Sequence, residues 1–123
     1  MTSMTTTPLV TIAIPCYNHE QYVQDSIQSI IDQSYSNIEL IIIDDGSKDN
    51  SVLKIQELIS ICTNRFSRFE FRYRENKGLC NTLNEALKWA QGEFFCALAS
   101  DDLIVKDIID IQVKYLLQNK ECV

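Results

Sequence analysis

The sequence predicts an α/β fold in which a mostly parallel sheet of about four strands is flanked by helices. Three observations carry that expectation. Strand-like and helix-like patterns alternate four times along the chain, the order that parallel strands joined by right-handed crossovers require. Two runs, Ile38–Ile43 and Glu93–Leu98, are almost unbroken in apolar residues, as strands covered on both faces are. Both runs are followed by paired carboxylates, Asp44-Asp45 and Asp101-Asp102, so polar chemistry gathers at strand ends.

Taken in order, Met1–Pro8 is polar and Thr-rich, without the basic start and apolar centre of a secretory signal, and is expected to be a disordered tail. The domain is expected to occupy residues 9–123. Leu9–Ile14 is a short β-branched run stopped by Pro15, which has no N–H for a ladder, so it is the first strand. From Gln21 to Gln33 the apolar positions Val23, Ile27, Ile30 and Ile31 lie on one helical face. Ile38–Ile43 is the second strand, with Glu39 its one polar residue. Gly46 suits a turn that a Cβ would hinder, and Ser47 or Asp49 is placed to cap a second helix over Asn50–Cys62. Phe69, Phe71 and Tyr73 alternate with Glu70, Arg72 and Arg74, the period of a half-exposed strand near a sheet edge. A third helix covers Leu79–Gln91 and ends at Gly92 in a left-handed cap. Glu93–Leu98 follows as another central strand, and Val105–Gln118 as a last helix.

At 123 residues and 46% hydrophobic, the chain suffices for one core that buries roughly two thirds of its unfolded surface. A net charge of −6 argues against a nucleic-acid partner, which needs clustered Lys and Arg. Arg65, Arg68, Arg72 and Arg74 form a loose basic group, expected to be a solvated face. Cys16, Cys62, Cys80, Cys96 and Cys122 are odd in number and lack metal-ligand spacing, as reduced thiols of a cytosolic protein do. No apolar run approaches the roughly 20 residues of a membrane span.

Parallel sheets bind ligands at the carboxyl ends of their strands, where the strand order reverses. Pro15–Asn18, Asp44–Ser47 and Ser100–Asp102 all fall at such ends. A strand order of 3-2-1-4 would open the crevice between the first and fourth strands and let Asp45 and Asp101 face one ligand. Adjacent carboxylates about 4 Å apart repel by roughly 4 kcal/mol at an effective dielectric near 20, so each pair needs a cation, a hydrogen-bonding ligand or solvent. Hard oxygens suit Mg2+ or Mn2+ shared with a diphosphate. The plainer alternative for either pair is a helix N-cap with a second carboxylate favoured by the helix dipole.

Val10-Thr11-Ile12-Ala13-Ile14-Pro15-Cys16-Tyr17-Asn18, Gln33-Ser34-Tyr35, Glu39–Ser47 with Asp49, Asn76-Lys77-Gly78, Gly92-Glu93 and Ser100-Asp101-Asp102 follow one another as the landmarks of family 2 glycosyltransferases do, and the chain resembles that family over nearly its whole length. The resemblance implies the Rossmann-like, nucleotide-diphospho-sugar-binding half of the GT-A fold, in a cytoplasmic enzyme of cell-wall or polysaccharide biosynthesis, with peripheral association at the inner membrane face as a further expectation. It implies that Pro15, Tyr17 and Asn18 line the nucleobase, with Tyr17 packed on it. Asp45 would bond uracil or ribose, and Lys77 would lie near base or diphosphate. Ser100 and Asp101 would join the nucleotide-sugar site, and Asp101 with Asp102 would hold Mn2+ or Mg2+. Ala99 stands where many members carry a further aspartate. The family's acceptor half normally follows this region, so the catalytic base of an inverting member is expected beyond Val123. The expectation is therefore a donor-binding part, inactive alone, for a UDP-linked sugar and a glycan or lipid-linked acceptor, with an apolar face around Ile108–Leu117 that favours self-association.

Other residues have plainer readings. His19 is expected to be an exposed loop residue, Trp89 and Tyr115 to pack, and Cys16 to lack the base a nucleophile needs. Two other functions remain in view: a non-catalytic nucleotide- or protein-binding module, and a receiver-like phosphoacceptor domain. The receiver pattern wants a lone Asp after the third strand, which the sequence lacks.

Overall fold

The computed structural model describes residues 7–118. Its elements are β1 (Val10–Cys16), α1 (Val23–Ile31), β2 (Ile38–Asp45), α2 (Ser51–Gln56), α3 (Ile59–Arg65), β3 (Arg68–Arg74), α4 (Leu79–Trp89), β4 (Phe94–Ala97) and α5 (Ile108–Gln118). The four strands form one parallel sheet in the order β3-β2-β1-β4. The chain thus winds outward from β1 to β3, then crosses back to place β4 on the other side of β1.

Alternation along the strands assigns the two faces. Ile12, Ile14, Leu40 and Ile42 join Val23, Ile27 and Ile30 of α1, Ile55 of α2, Cys62 of α3, and Ile109 and Val113 of α5 in the larger core. Ala13, Ile41 and Ile43 meet Ala86 and Trp89 of α4 on the opposite face. Burial on both faces explains why β2 carries so few polar residues. Full burial also pushes the Cys62 thiol up to about 12, leaving it a packing group.

Several expectations change. β1 continues through Pro15 to Cys16. Leu98 N donates to Ala13 O, whereas Val10 N donates to Asn37 O at the start of β2, so odd residues of β1 address the β4 side and even ones β2. β4 pairs only as far as Ala13↔Ala97, and the missing N–H of Pro15 therefore points where no ladder remains. β4 lies at a sheet edge among the described residues, not at the centre, and Phe95 is 36% exposed. The expected single helix over Asn50–Cys62 is two: Leu58 N bonds Ile55 O, an i→i+3 turn that interrupts it without any Gly or Pro. Asn50, not Ser47 or Asp49, stands at the N-cap position of α2, without a side-chain cap, while Asp49 Oδ1 accepts from Ser51 N at 2.9 Å.

Gly92 is not a left-handed cap. Positive φ is confined, among the described glycines, to Gly46 and Gly78, and Gly92 is required for close approach: a Cβ there would lie 2.5 Å from Thr11 Oγ1 and 2.7 Å from Thr11 N. The basic group is not a solvated face either. Arg65 donates to the carbonyls of Ile31, Gln33, Tyr35 and Ser36, closing the end of α1 and the turn into β2. Arg68, Arg72 and Arg74 each pair with a carboxylate. Trp89 packs in the core, but Tyr115 stands largely exposed on α5.

The two ends of the chain meet the expectations only in part. Of the expected tail, residues 1–6 lie outside the described residues; Thr7 O accepts from Asn37 Nδ2 at 2.7 Å, and the buried Pro8 accepts from the Tyr35 hydroxyl. The domain expected to run to Val123 is described to Gln118, and Cys122 and Val123 lie outside the described residues.

Candidate functional site

Three loops meet at the carboxyl ends of the strands. The loop after β1 is stitched to the loop after β2: Asn18 N donates to Ser47 Oγ at 2.8 Å, Asn18 Oδ1 accepts from Lys48 N at 2.8 Å, and Glu20 N donates to Asp49 Oδ2 at 3.1 Å. Asn18 has φ 54, a left-handed conformation that asparagine tolerates better than most residues. Gly46, at φ +80, brings the tip of β2 against the loop after β3, where a Cβ would lie 2.6 Å from Asn76 N. Asn76 Nδ2 donates to Asp45 O at 2.9 Å across that contact.

Between these loops lies a cavity of about 450 Å3 whose walls include Pro15, Tyr17, His19, Asp45, Leu79 and Ser100. It opens beside β1, at the crevice where the strand order reverses. Tyr17 on the wall is 44% exposed. Cys16 forms part of the wall too, and burial pushes its thiol up despite the Ser100 and Ser51 hydroxyls that favour the thiolate, so it stays protonated.

The two acidic pairs behave differently. Asp44 closes its own turn, accepting from Ser47 N at 2.8 Å and Ser47 Oγ at 2.6 Å. Asp45 accepts from Arg74 Nη1 at 2.5 Å, Lys77 N at 2.8 Å and Gly78 N at 3.1 Å. Burial alone would raise its pKa, but the Lys77 amide, Arg74 and the Gly78 amide together hold it below the ordinary carboxylate value. Repulsion within the pair is relieved by these internal donors. At the other strand end, Ser100 Oγ lies 2.6 Å from His19 Nδ1, and Asp101 Oδ2 lies 3.8 Å from His19 Nε2. Asp102 O accepts from the Ser26 hydroxyl, which leaves its carboxylate at the surface.

Of the residues expected to form the site, Pro15, Tyr17, Asp45 and Ser100 share the cavity wall, while Asn18, Lys77, Asp101 and Asp102 stand off it. Asn18 is occupied in the loop stitch. Lys77 contributes its backbone to Asp45, and its residue borders a separate surface hollow with Asn81, Glu85 and Lys88. The catalytic base expected beyond Val123 falls outside the described residues. His19, expected to be an exposed loop residue, is half-buried on the cavity wall, and Arg74, expected in a solvated basic group, pairs with the wall residue Asp45. The one available signal for Arg74 was its position at the carboxyl end of β3, in register with Asp45.

Among the described residues, no three His, Cys, Asp or Glu side chains gather into an all-protein metal cage. The donor set that is present, the surface carboxylates of Asp101 and Asp102, fits Mg2+ or Mn2+ bound through one or two carboxylates with diphosphate and water completing the shell. No helix among them is long and apolar enough to cross a membrane.

The chain is 40% identical over 113 residues to an uncharacterized glycosyltransferase of Haemophilus influenzae, covering 91% of this chain and 44% of that protein. It is 36% identical to the Escherichia coli UDP-Glc:alpha-D-GlcNAc-diphosphoundecaprenol beta-1,3-glucosyltransferase WfgD, over 90% of this chain and 42% of that one. The mannosyltransferase PcManGT from Pyrobaculum calidifontis, solved in complex with GDP-Man and Mn2+, superposes with a TM-score of 0.81 at 25% identity, over 91% of this chain and 33% of that one. S. aureus TarS 1–349 in complex with UDP-GlcNAc has the same fold, with a TM-score of 0.79 at 24% identity over 91% and 32% of the two chains. The chain therefore spans less than half the length of these relatives. The family model for glycosyl transferase family 2 matches residues 11–123, and with β3 ending in Arg74 rather than the receiver's aspartate, the chain belongs to glycosyltransferase family 2.

Proposed function

We propose that the chain is the donor-binding part of a glycosyltransferase that moves a sugar from a nucleotide-diphospho-sugar, uridine-linked, to a glycan or lipid-linked acceptor. The observation that carries this reading is the cavity at the reversal of strand order, whose wall includes both the aromatic Tyr17 and the acidic Asp45. A nucleobase needs both: an apolar wall for its ring and a fixed acceptor for its edge. The names of its relatives add support, one for UDP-Glc and one for GDP-Man with Mn2+.

In this reading Tyr17 packs on the base, Asp45 accepts a hydrogen bond from it, and Ser100 with His19 borders the ribose. Asp101 and Asp102 hold the cation. When bound, Mn2+ or Mg2+ neutralises charge on the diphosphate and so favours its departure. No acceptor base is assigned up to Val123, and on its own the chain is proposed to hydrolyse donor weakly and transfer poorly. The four described thiols are free, which suits a reducing cytosol and an inner-membrane acceptor.

Calorimetry with UDP and Mn2+ tests the reading. The Asp101 side chain is 46% exposed and its one ion pair among the described residues is with His19 at 3.8 Å, so Asp101→Ala is expected to remove a ligand without disturbing the fold. Loss of that carboxylate is expected to weaken UDP at least about tenfold in Mn2+ and little in EDTA. Absence of heat with millimolar UDP, GDP and dTDP would sink the donor site altogether. Self-association is proposed as well, through α5, where Ile111 is 57% exposed beside Tyr115 and Leu116. Sedimentation velocity should show a second species that grows with concentration, and a single monomer boundary throughout excludes it.

A further inference from the structure

The geometry points to Arg74 as the residue that decides which nucleobases Asp45 accepts: it fills one carboxylate oxygen and leaves the site a single acceptor, suited to the lone N–H of a pyrimidine imide such as uracil. The inference rests on the proposed donor site. A carboxylate offers about four lone-pair positions on two oxygens. Asp45 Oδ1 takes Arg74 Nη1 at 2.5 Å and Lys77 N at 2.8 Å, which fills it. Among the described residues, Oδ2 takes only Gly78 N at 3.1 Å. One position therefore remains, on a residue that walls the cavity.

Arg74 is not free to turn aside when a ligand arrives. Its Nε donates to Glu85 Oε1 at 2.9 Å, its Nη2 to Thr82 Oγ1 at 2.9 Å and its Nη1 also to Glu75 O at 3.1 Å. Glu85 is fixed in turn by Arg72 at 3.0 Å, and these two arginines hold its carboxyl below the ordinary range against the effect of burial. Thr82 is itself buried and donates to Gly78 O at 3.0 Å, so the brace closes back on the loop that holds Asp45.

Uracil presents one N–H between two carbonyls, which a single acceptor satisfies. Guanine presents two adjacent N–H groups, which a carboxylate meets best with both oxygens, and here one of those groups would stay unpaired. Cytosine puts a ring-nitrogen lone pair where uracil has its N–H, facing the negative charge. A site that leaves a buried polar group unpaired rejects the ligand that does so. The fold alone does not choose the base, since a mannosyltransferase of the same fold is solved with GDP-Man.

Calorimetry with UDP, GDP and CDP in Mn2+, on the 123-residue chain and on Arg74→Met and Arg74→Lys, tests the inference. The unaltered chain is expected to bind UDP at least about tenfold more tightly than GDP or CDP. In Arg74→Met, Oδ1 regains a position, and GDP should gain on UDP by at least about threefold while CDP stays weak; Arg74→Lys should restore part of the discrimination. Equal binding of UDP and GDP by the unaltered chain overturns the inference but leaves the donor site standing, and this arm needs no variant to fold. A UDP-to-GDP ratio unchanged in a folded Arg74→Met also overturns it. Failure of all three nucleotides removes both readings together.

Discussion

Glu39→Ala is expected to destabilise the chain by about 3–5 kcal/mol, the range found when one member of a buried ion pair is removed. Glu39 has no exposed surface, yet it sits in a run, Ile38–Ile43, otherwise built of Ile and Leu. Its Oε2 accepts from Thr11 Oγ1 at 2.7 Å and from Gln91 N at 2.7 Å, and its Oε1 from Arg68 Nη1 at 3.1 Å. Arg68 in turn donates to Trp89 O at 3.0 Å and lies over the Trp89 ring at 3.8 Å. One carboxylate thus ties β1, β2, β3 and the exit of α4. Alanine would strand the Gln91 N–H and leave Arg68 half-buried without its anion, two costs that add to the cavity. Glu39→Gln keeps the shape and one acceptor oxygen, so it should fall between. Urea unfolding of the three proteins measures this, and a Glu39→Ala chain within about 1 kcal/mol of the parent would mean the tie is no stronger than a surface pair.

Asp45→Asn is expected to lessen the acid sensitivity of the loop that carries the site, and to remove most nucleotide binding. Because the folded pKa of Asp45 lies below its ordinary value of 3.8, its ionised form stabilises the folded chain, and that stabilisation is whole above pH 3.8. It is lost as pH falls below 3.8 through the folded value. Asp49 and Glu85, also held low, act with the same sign: burial opposes the charge, but the Ser51 hydroxyl and amide overcome it at Asp49 and the two arginines at Glu85. The parent should therefore lose thermal stability steeply below pH 4, and Asp45→Asn less so, since it begins from a weaker state. An amide in place of the carboxylate directs an N–H at Arg74 or at the base, and UDP binding should fall at least about tenfold at pH 7. Melting curves from pH 3 to 7, with calorimetry at neutral pH, give both readouts; parallel pH profiles for the two proteins would refute the linkage.

Strand positions, helix faces and the sheet order were legible because each rests on local pattern or chain connectivity. The β-branched run of β2, the alternation of β3 and the carboxylates at two strand ends give the architecture and place Pro15, Tyr17, Asp45 and Ser100 near one another. What was not legible depends on partners distant in sequence. Nothing near Arg74 says that its guanidinium meets Asp45, 29 residues away, and a scattered set of four arginines looks the same whether solvated or braced. Likewise the half-burial of His19 in its loop had no local sign, because Ser100 reaches it from 81 positions away. Gly92 suggested a helix cap, the commonest reason for a glycine there, and only the passage of β1 behind it reveals the other. The break between α2 and α3 carries no breaker residue and so no local sign.

The ladder between β1 and β2 runs on to Cys16↔Asp44, while that between β1 and β4 ends at Ala13↔Ala97. The sheet is unzipped for three residues before it ends, with proline at the fork. A guest that slides into this notch breaks no backbone pairing to enter, and the proposed donor would be met by walls already standing rather than by strands that must first be prised apart.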